Sequence, residues 1–240
     1  VTLSIQEGEF VVIVGPSGCG RTTFMNTFAG LVRPAKGTVS MDGEAISGPS
    51  AERGVVFQQF ALFPWKTVYE NVEFGLKYRG LPRGEREEIA RKYIRLVKLE
   101  GFEKSFPHEL SGGMKQRVAI ARVYANRPQV LLMDEPFGAL DAQTRTIMKE
   151  DLSDMFMTEK RTVVFITHSV EEAIYLGDRV VIMTARPGKI KRVINLSADN
   201  LIPQRRGMGY DDVVNLKAFL DLKAEIWGLI KAEILEKHIL

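Results

Sequence analysis

Five short runs, 10–14, 55–57, 130–133, 162–166 and 180–183, stand out as almost wholly apolar in a chain of otherwise mixed polarity. A run this short without polar alternation reads as a strand covered on both faces. Residues 1–5 alternate instead, as a half-buried strand does. That pattern opens abruptly at Val1, which implies residues upstream. The stretch 37–44 contains Asp42-Gly43, a two-residue turn that predicts a hairpin. A second hairpin is predicted where 180–183 and 190–196 flank Pro187-Gly188.

Helical spacing fills the intervals. Residues 24–29 read as the start of a helix, and Thr67 reads as the N-cap of a helix through Val72 and Leu76. Gly80 to Gly84 breaks that helix, and 85–99 then places Ile89, Tyr93, Leu96 and Val97 at helical intervals among charges. Residues 118–122 form another helix. Ala139-Leu140-Asp141 opens one whose expected buried stripe is Ile147, Met148, Leu152, Met155 and Phe156. The tail 211–240 is expected to be helical, with Leu216, Phe219, Leu220, Ile226, Trp227, Ile230 and Ile234 on or near one face. Strands alternating with helices predict an α/β fold: a mostly parallel sheet with right-handed crossovers and an antiparallel β part. The expected organisation is a domain over 1–196 with a helical insertion at about 60–113, a linker over 197–210, and the tail.

Composition narrows the class. The 240 residues are 45% hydrophobic, enough for a real core. Net charge is +3, from 33 basic and 30 acidic residues, which argues against a nucleic-acid partner. No apolar run approaches the ~18 residues of a membrane span, and no secretory leader is expected. Cys19 is the only cysteine, so no internal disulfide forms and a reducing compartment fits. Its position suggests a small space-filler.

Candidate chemistry begins at Gly15-Pro16-Ser17-Gly18-Cys19-Gly20-Arg21-Thr22-Thr23, between a buried strand and a helix. Glycines let successive N–H groups turn inward, and a helix N-terminus adds positive potential, so this turn suits phosphate. Thr22 stands where a hydroxyl would ligate Mg²⁺. Arg21 departs from the pattern, which asks for lysine: a guanidinium is a planar fork where an ammonium is a compact point charge. Asp134 and Glu135 end a buried strand; the first can hold Mg²⁺ through its water shell and the second can polarise a water. His168 and Gln58 also end strands, within reach of a γ-phosphate and of the metal or water respectively. His108 and His238 read as structural. Ligands of parallel sheets lie at the carboxyl ends of strands, so the fold is expected to gather these groups. Ser111-Gly112-Gly113 before a helix is a second anion-binding turn. Two separated phosphate turns in one chain suggest two copies, each lending one turn to a shared nucleotide.

With these motifs in view, the chain resembles the nucleotide-binding subunit of an ATP-binding-cassette (ABC) transporter. The resemblance rests on Leu110-Ser111-Gly112-Gly113-Met114-Lys115-Gln116-Arg117, Asp134-Glu135-Pro136, Ala139-Leu140-Asp141 and Thr167-His168, and covers about residues 1–196. It implies a RecA-like P-loop NTPase fold, a head-to-tail pair and two ATP molecules with Mg²⁺ sandwiched between them. It implies Gln58 as the Q-loop glutamine, Glu135 as general base, Asp141 in the D-loop and His168 as the switch histidine. Phe106-Pro107-His108-Glu109 and Leu62-Phe63-Pro64-Trp65 resemble bacterial import ATPases, and the stretch from Leu132 to Arg145 is similar to the nitrate/sulfonate/taurine group. The implied partners are a second ATPase subunit, a transmembrane permease and, indirectly, an extracytoplasmic solute-binding protein. The implied location is peripheral, on the cytoplasmic face of the inner membrane.

Two departures qualify the family pattern. Arg21 replaces its lysine, and its adenine-stacking aromatic residue falls upstream of Val1. Stacking of that kind is worth about 1–3 kcal/mol. The sequence therefore supports a transport ATPase or, with Arg21 impairing hydrolysis, an ATP-binding regulatory cassette. A family member working on DNA or ribosomes would carry a long coiled-coil insertion or a second cassette, and this sequence contains neither.

Overall fold

The computed structural model describes residues 1–203 and 205–238. Residues 239 and 240 of the expected tail, and the side chain of His238, lie outside the described residues. The chain forms two compact units. One joins Val1–Pro49 to the chain from Leu152 onward; the other is Ser50–Asp151.

The first unit is built on β1 (Phe10–Val14), buried at every position. It lies between two parallel neighbours, β6 (Thr162–Ile166) and β7 (Arg179–Met183), in the registers Phe10↔Val163 and Val11↔Arg179. A strand flanked on both edges and covered on both faces can only be apolar, which is why no alternation is visible in the sequence. Phe10 anchors this core, with its ring 5.1 Å from Phe156 and 5.8 Å from Phe165. Burying a side chain of that size stabilises the fold by roughly 1.5–3 kcal/mol. β8 (Ile190–Asn195) returns antiparallel beside β7. The expected first hairpin forms as β2 (Ser40–Met41) and β3 (Glu44–Ala45), turning through Asp42 and Gly43, both at positive φ.

Beyond β8 the chain is tied back to the first unit through Arg205. Arg205 is buried and donates to the carbonyl of Gly177 and to Ser197 Oγ. Burial, and then the nearby Arg206, push its guanidinium down to about 10. Asp178 accepts from Phe10 N, Ser197 Oγ and Arg206. Burial alone would raise that carboxyl, but these partners hold it below the usual carboxylate range.

The second unit pairs β4 (Arg53–Val56) in parallel with β5 (Val130–Asp134). Its helices are α2 (Val68–Tyr78), α3 (Arg83–Leu96) and α4 (Gly112–Ala125). Thr67 caps α2 as expected: its hydroxyl accepts from Glu70 N, and the Glu70 carboxylate accepts from Thr67 N. Asn71 is wholly buried and pins the preceding loop. It accepts from Phe63 N and donates to the carbonyls of Phe63, Lys66 and Thr67.

Several elements differ from expectation. Residues 1–5 form no strand; Ser4 contributes its carbonyl to Arg179 instead. A strand exists only through ladder partners, and alternation alone supplies none. Phe57 lies beyond β4 and is exposed, and Gly84 sits in the first turn of α3. On α5 (Ala142–Glu159) Ile147 is 49% exposed. The buried line is Met148, Leu152, Met155 and Phe156, and Ile147 projects about a quarter-turn away from it. The tail is two helices, α7 (Tyr210–Val214) and α8 (Lys217–His238). Its inward line is Phe219, Leu222, Ile226, Ile230 and Glu233, while Leu220 and Trp227 face solvent.

Asn71→Ala removes the acceptor for one backbone donor and the donor for three carbonyls. It should lower unfolding free energy by about 2–3 kcal/mol, read by urea denaturation. A change below about 0.5 kcal/mol would mean that the loop does not depend on these bonds.

Candidate functional site

β1 delivers the chain into the phosphate turn, and α1 (Arg21–Phe28) leaves it. Gly18 and Gly20 have φ of 76° and 99°, a conformation in which a side chain is strained. Gly20 occupies the N-cap of α1 with no side-chain cap, and the first turn carries no acidic residue. The first N–H groups of a helix have no intrahelical acceptor, so these donors face outward. A Cβ added at Gly18 or Gly20 would meet nothing within 4 Å. Ser17, Gly18, Thr22 and Thr23 are exposed, whereas Gly15, Pro16, Cys19 and Arg21 are buried. Uncapped donors around open space, with a hydroxyl at Thr22, fit a polyphosphate and a hard cation. Cys19 fills space against Gly15, as expected.

Arg21 does not point into that cradle unattached. Its Nη1 donates to the carbonyl of Gly15 at 2.6 Å and to that of Thr167 at 2.9 Å. The guanidinium thus ties the start of the phosphate turn to the end of β6. Thr167 is itself fixed: its hydroxyl donates to Glu172 Oε2 at 2.5 Å and accepts from Ser169 N at 3.0 Å. His168, next in sequence, is exposed. Ser169 caps α6 (Val170–Leu176), accepting from Glu172 N. Sequence reasoning passed over Glu172, although Ser169-x-x-Glu172 is a recognisable capping pattern.

The remaining candidates lie in the second unit. β5 ends at Asp134, and Glu135 adopts φ of 45°. A non-glycine residue held in the left-handed region is strained, and such strain concentrates at functional sites. No sequence signal announces it. Gln58 is brought to the same turn: a Cβ built on Gly138 would lie 3.4 Å from Gln58 Nε2 and 3.8 Å from Glu135 Cβ. Ser111 caps α4, accepting from Met114 N at 3.3 Å. Gly113 abuts Thr144, where an added Cβ would fall 2.4 Å from the Thr144 methyl. Asp141 Oδ1 accepts from Thr144 N at 3.0 Å and so caps α5. That backbone bond, and then the Thr144 hydroxyl, hold its carboxyl below the ordinary value. The structure therefore places Gln58 beside Glu135, and Gly112 and Gly113 beside Leu140 and Thr144, the second of which donates its N–H to Asp141.

Residues 1–138 match the ABC transporter family. A nitrate import ATP-binding protein of Synechocystis sp. is 50% identical over 208 residues, 86% of this chain and 78% of that protein. A taurine import ATP-binding protein of Rhizobium johnstonii is 46% identical over 233 residues, 96% of this chain and 87% of its own. Among solved structures, a dimeric ATP-binding cassette in a post-hydrolysis state, bound to ADP and Pi, superposes with a TM-score of 0.70. It is 36% identical, with coverage of 81% of this chain and 88% of that one. The chain belongs to the ABC transporter family: it is an ABC-type ATPase with the P-loop NTPase fold.

Proposed function

We propose that this chain is the ATPase subunit that powers import of a small solute of the nitrate, sulfonate or taurine kind through a separate permease. The observation that carries the reading is the uncapped, glycine-bent turn between β1 and α1, open to solvent and lined by N–H donors. The similarity to nitrate and taurine import ATP-binding proteins supports the solute class. Gly15, Pro16, Ser17, Gly18, Cys19, Gly20, Arg21, Thr22 and Thr23 hold the nucleotide phosphates. Thr22 in the first unit, and Gln58 and Asp134 in the second, are the residues that the family resemblance implies for Mg²⁺, which would neutralise charge on the phosphates. Glu135 accepts the proton of the attacking water, and His168 senses the γ-phosphate. Ser111, Gly112, Gly113 and Asp141 serve the nucleotide of a second ATPase subunit across a head-to-tail dimer.

The subunit works peripherally, at the cytoplasmic face of the membrane. Among the described residues no helix is long and apolar enough to cross a membrane. The surface offered to the permease is an aromatic row. Phe63 lies 5.8 Å from Trp65 and 4.4 Å from Phe74, and Phe74 lies 4.8 Å from Tyr78. Trp65 and Tyr78, at its ends, are 70% and 77% exposed. A solute-binding protein outside the membrane engages the permease, not this chain.

A second reading, an ATP-binding cassette with impaired hydrolysis, is favoured by one observation: Arg21 is engaged by the Gly15 and Thr167 carbonyls. A guanidinium so held is withdrawn from the γ-phosphate.

Glu135→Gln should lower the ATPase rate by about 10²-fold or more while ATP still binds, measured by phosphate release and nucleotide titration. Retained hydrolysis would sink the assigned base. Under the second reading Arg21→Lys should raise kcat about tenfold or more; a kcat that does not rise removes that reading. Trp65→Ala should cut solute uptake by the reconstituted transporter about tenfold, with ATP affinity of the isolated subunit unchanged. Undiminished uptake would place the permease contact elsewhere.

A further inference from the structure

The phosphate turn is buttressed by a segment remote in sequence. β7 and β8 are joined by residues 184–189, a turn closed by Thr184 N donating to Lys189 O at 2.8 Å. Lys189 N donates to Thr184 Oγ1 at 2.9 Å. Gly188 in this turn lies against Cys19: a Cβ there would fall 2.0 Å from the Cys19 carbonyl oxygen. Only the bare backbone of glycine fits so close an approach. Met183, the last residue of β7, lies close to the other end of the phosphate turn. A Cβ on Gly15 would lie 3.0 Å from Met183 O. Backbone therefore bears on backbone at two points, and a shift of the 184–189 turn must displace the loop that carries the phosphate donors.

α8 fixes that turn from its other side. Glu233 is 9% exposed, and its carboxylate bonds both flanks of the turn. Oε2 accepts from Ala185 N at 3.0 Å, and Oε1 accepts from Lys191 Nζ at 2.5 Å. Charge-assisted bonds are the strong ones, and two on one buried carboxylate define its position. Arg186, Lys189 and Glu236 line the adjoining cavity of about 440 Å³. Elsewhere α8 is tied to the same unit by Lys223 and Glu171, 2.7 Å apart.

We propose that Glu233 is a positioning residue for ATP binding: through Ala185 and Lys191 it sets the 184–189 turn, and the turn, with Met183 before it, sets the phosphate loop at Cys19 and Gly15. The inference rests on the phosphate turn binding ATP, as proposed above. It assigns the C-terminal helix a part in nucleotide affinity without contact to the nucleotide.

The test compares MgATP affinity, KM and kcat of the full chain and its variants. Glu233→Ala should weaken ATP binding and raise KM about fivefold, with kcat within about twofold of the parent. Glu233→Gln keeps an acceptor for Ala185 N and should recover most of the loss. Lys191→Met removes one of the two bonds and should shift affinity in the same direction, which covers the case of a Glu233→Ala chain that does not fold. Lys223→Ala, which loosens α8 without touching the turn, should leave affinity at the parental value. Parental affinity in Glu233→Ala, or in Lys191→Met where that chain does not fold, would overturn the proposal alone. An equal loss in Lys223→Ala would do the same, because the effect would then be general loosening. Failure of the parent chain to bind ATP would overturn the reading of the phosphate turn and this proposal together.

Discussion

Uncapped N–H groups at the start of α1 are the constraint on which the first unit turns. A helix N-terminus without a side-chain cap is costly unless something anionic or water completes it. Gly20 leaves that end open where serine or aspartate would have closed it. The opening is useful only if it is held still, and the neighbouring structure holds it. β1 enters between β6 and β7, Met183 and Gly188 press on the turn from behind, and Arg21 ties its first carbonyl to Thr167. Preorganised donors need no rearrangement when charge arrives, which is the main electrostatic asset of a phosphate site.

The second unit meets a different demand, which is to aim carboxylates. β5 is apolar until its last residue, then places Asp134 and Glu135 at its exit. A left-handed φ at Glu135 turns the chain sharply there, and Gln58 arrives beside the same turn from β4. The segment from Leu110 to Arg117 shows how one residue serves two ends. Ser111 caps α4 with its own hydroxyl, yet it and Gly112 remain exposed. Asp141 likewise caps α5 while facing solvent. These structural duties leave both residues at the surface.

Much of this was legible in the sequence, for physical reasons that can be named. Strands covered on both faces permit only apolar residues, so β1, β5, β6 and β7 announce themselves. Asp42-Gly43 and Thr67 act through local backbone chemistry, and the hairpin and the cap form as expected. What failed depended on partners far along the chain. The alternation at 1–5 has no ladder, and Ile147 and Trp227 sit a rotation away from faces that only packing defines. Nothing local to Arg205 hints that it is buried against Gly177 and Ser197. Strain at Glu135 and the bond between Thr167 and Glu172 were invisible for the same reason.

The Arg-for-lysine exchange at position 21 is best judged by geometry, not by charge. Both side chains are cations, and a loop that needed charge alone would accept either. A lysine ammonium is compact and can sit at the focus of the phosphate turn; a guanidinium is wider and seeks planar arrays of acceptors. Here the array is supplied by protein, with one nitrogen spanning the Gly15 and Thr167 carbonyls. That bridge couples the phosphate turn to the segment carrying His168, since Thr167 precedes it directly. A nucleotide that draws Arg21 away would release the end of β6 at the same moment, while one that leaves it in place would bind through backbone donors alone. What Arg21 contributes in this structure is therefore a tie between the first carbonyl of the turn and the end of β6.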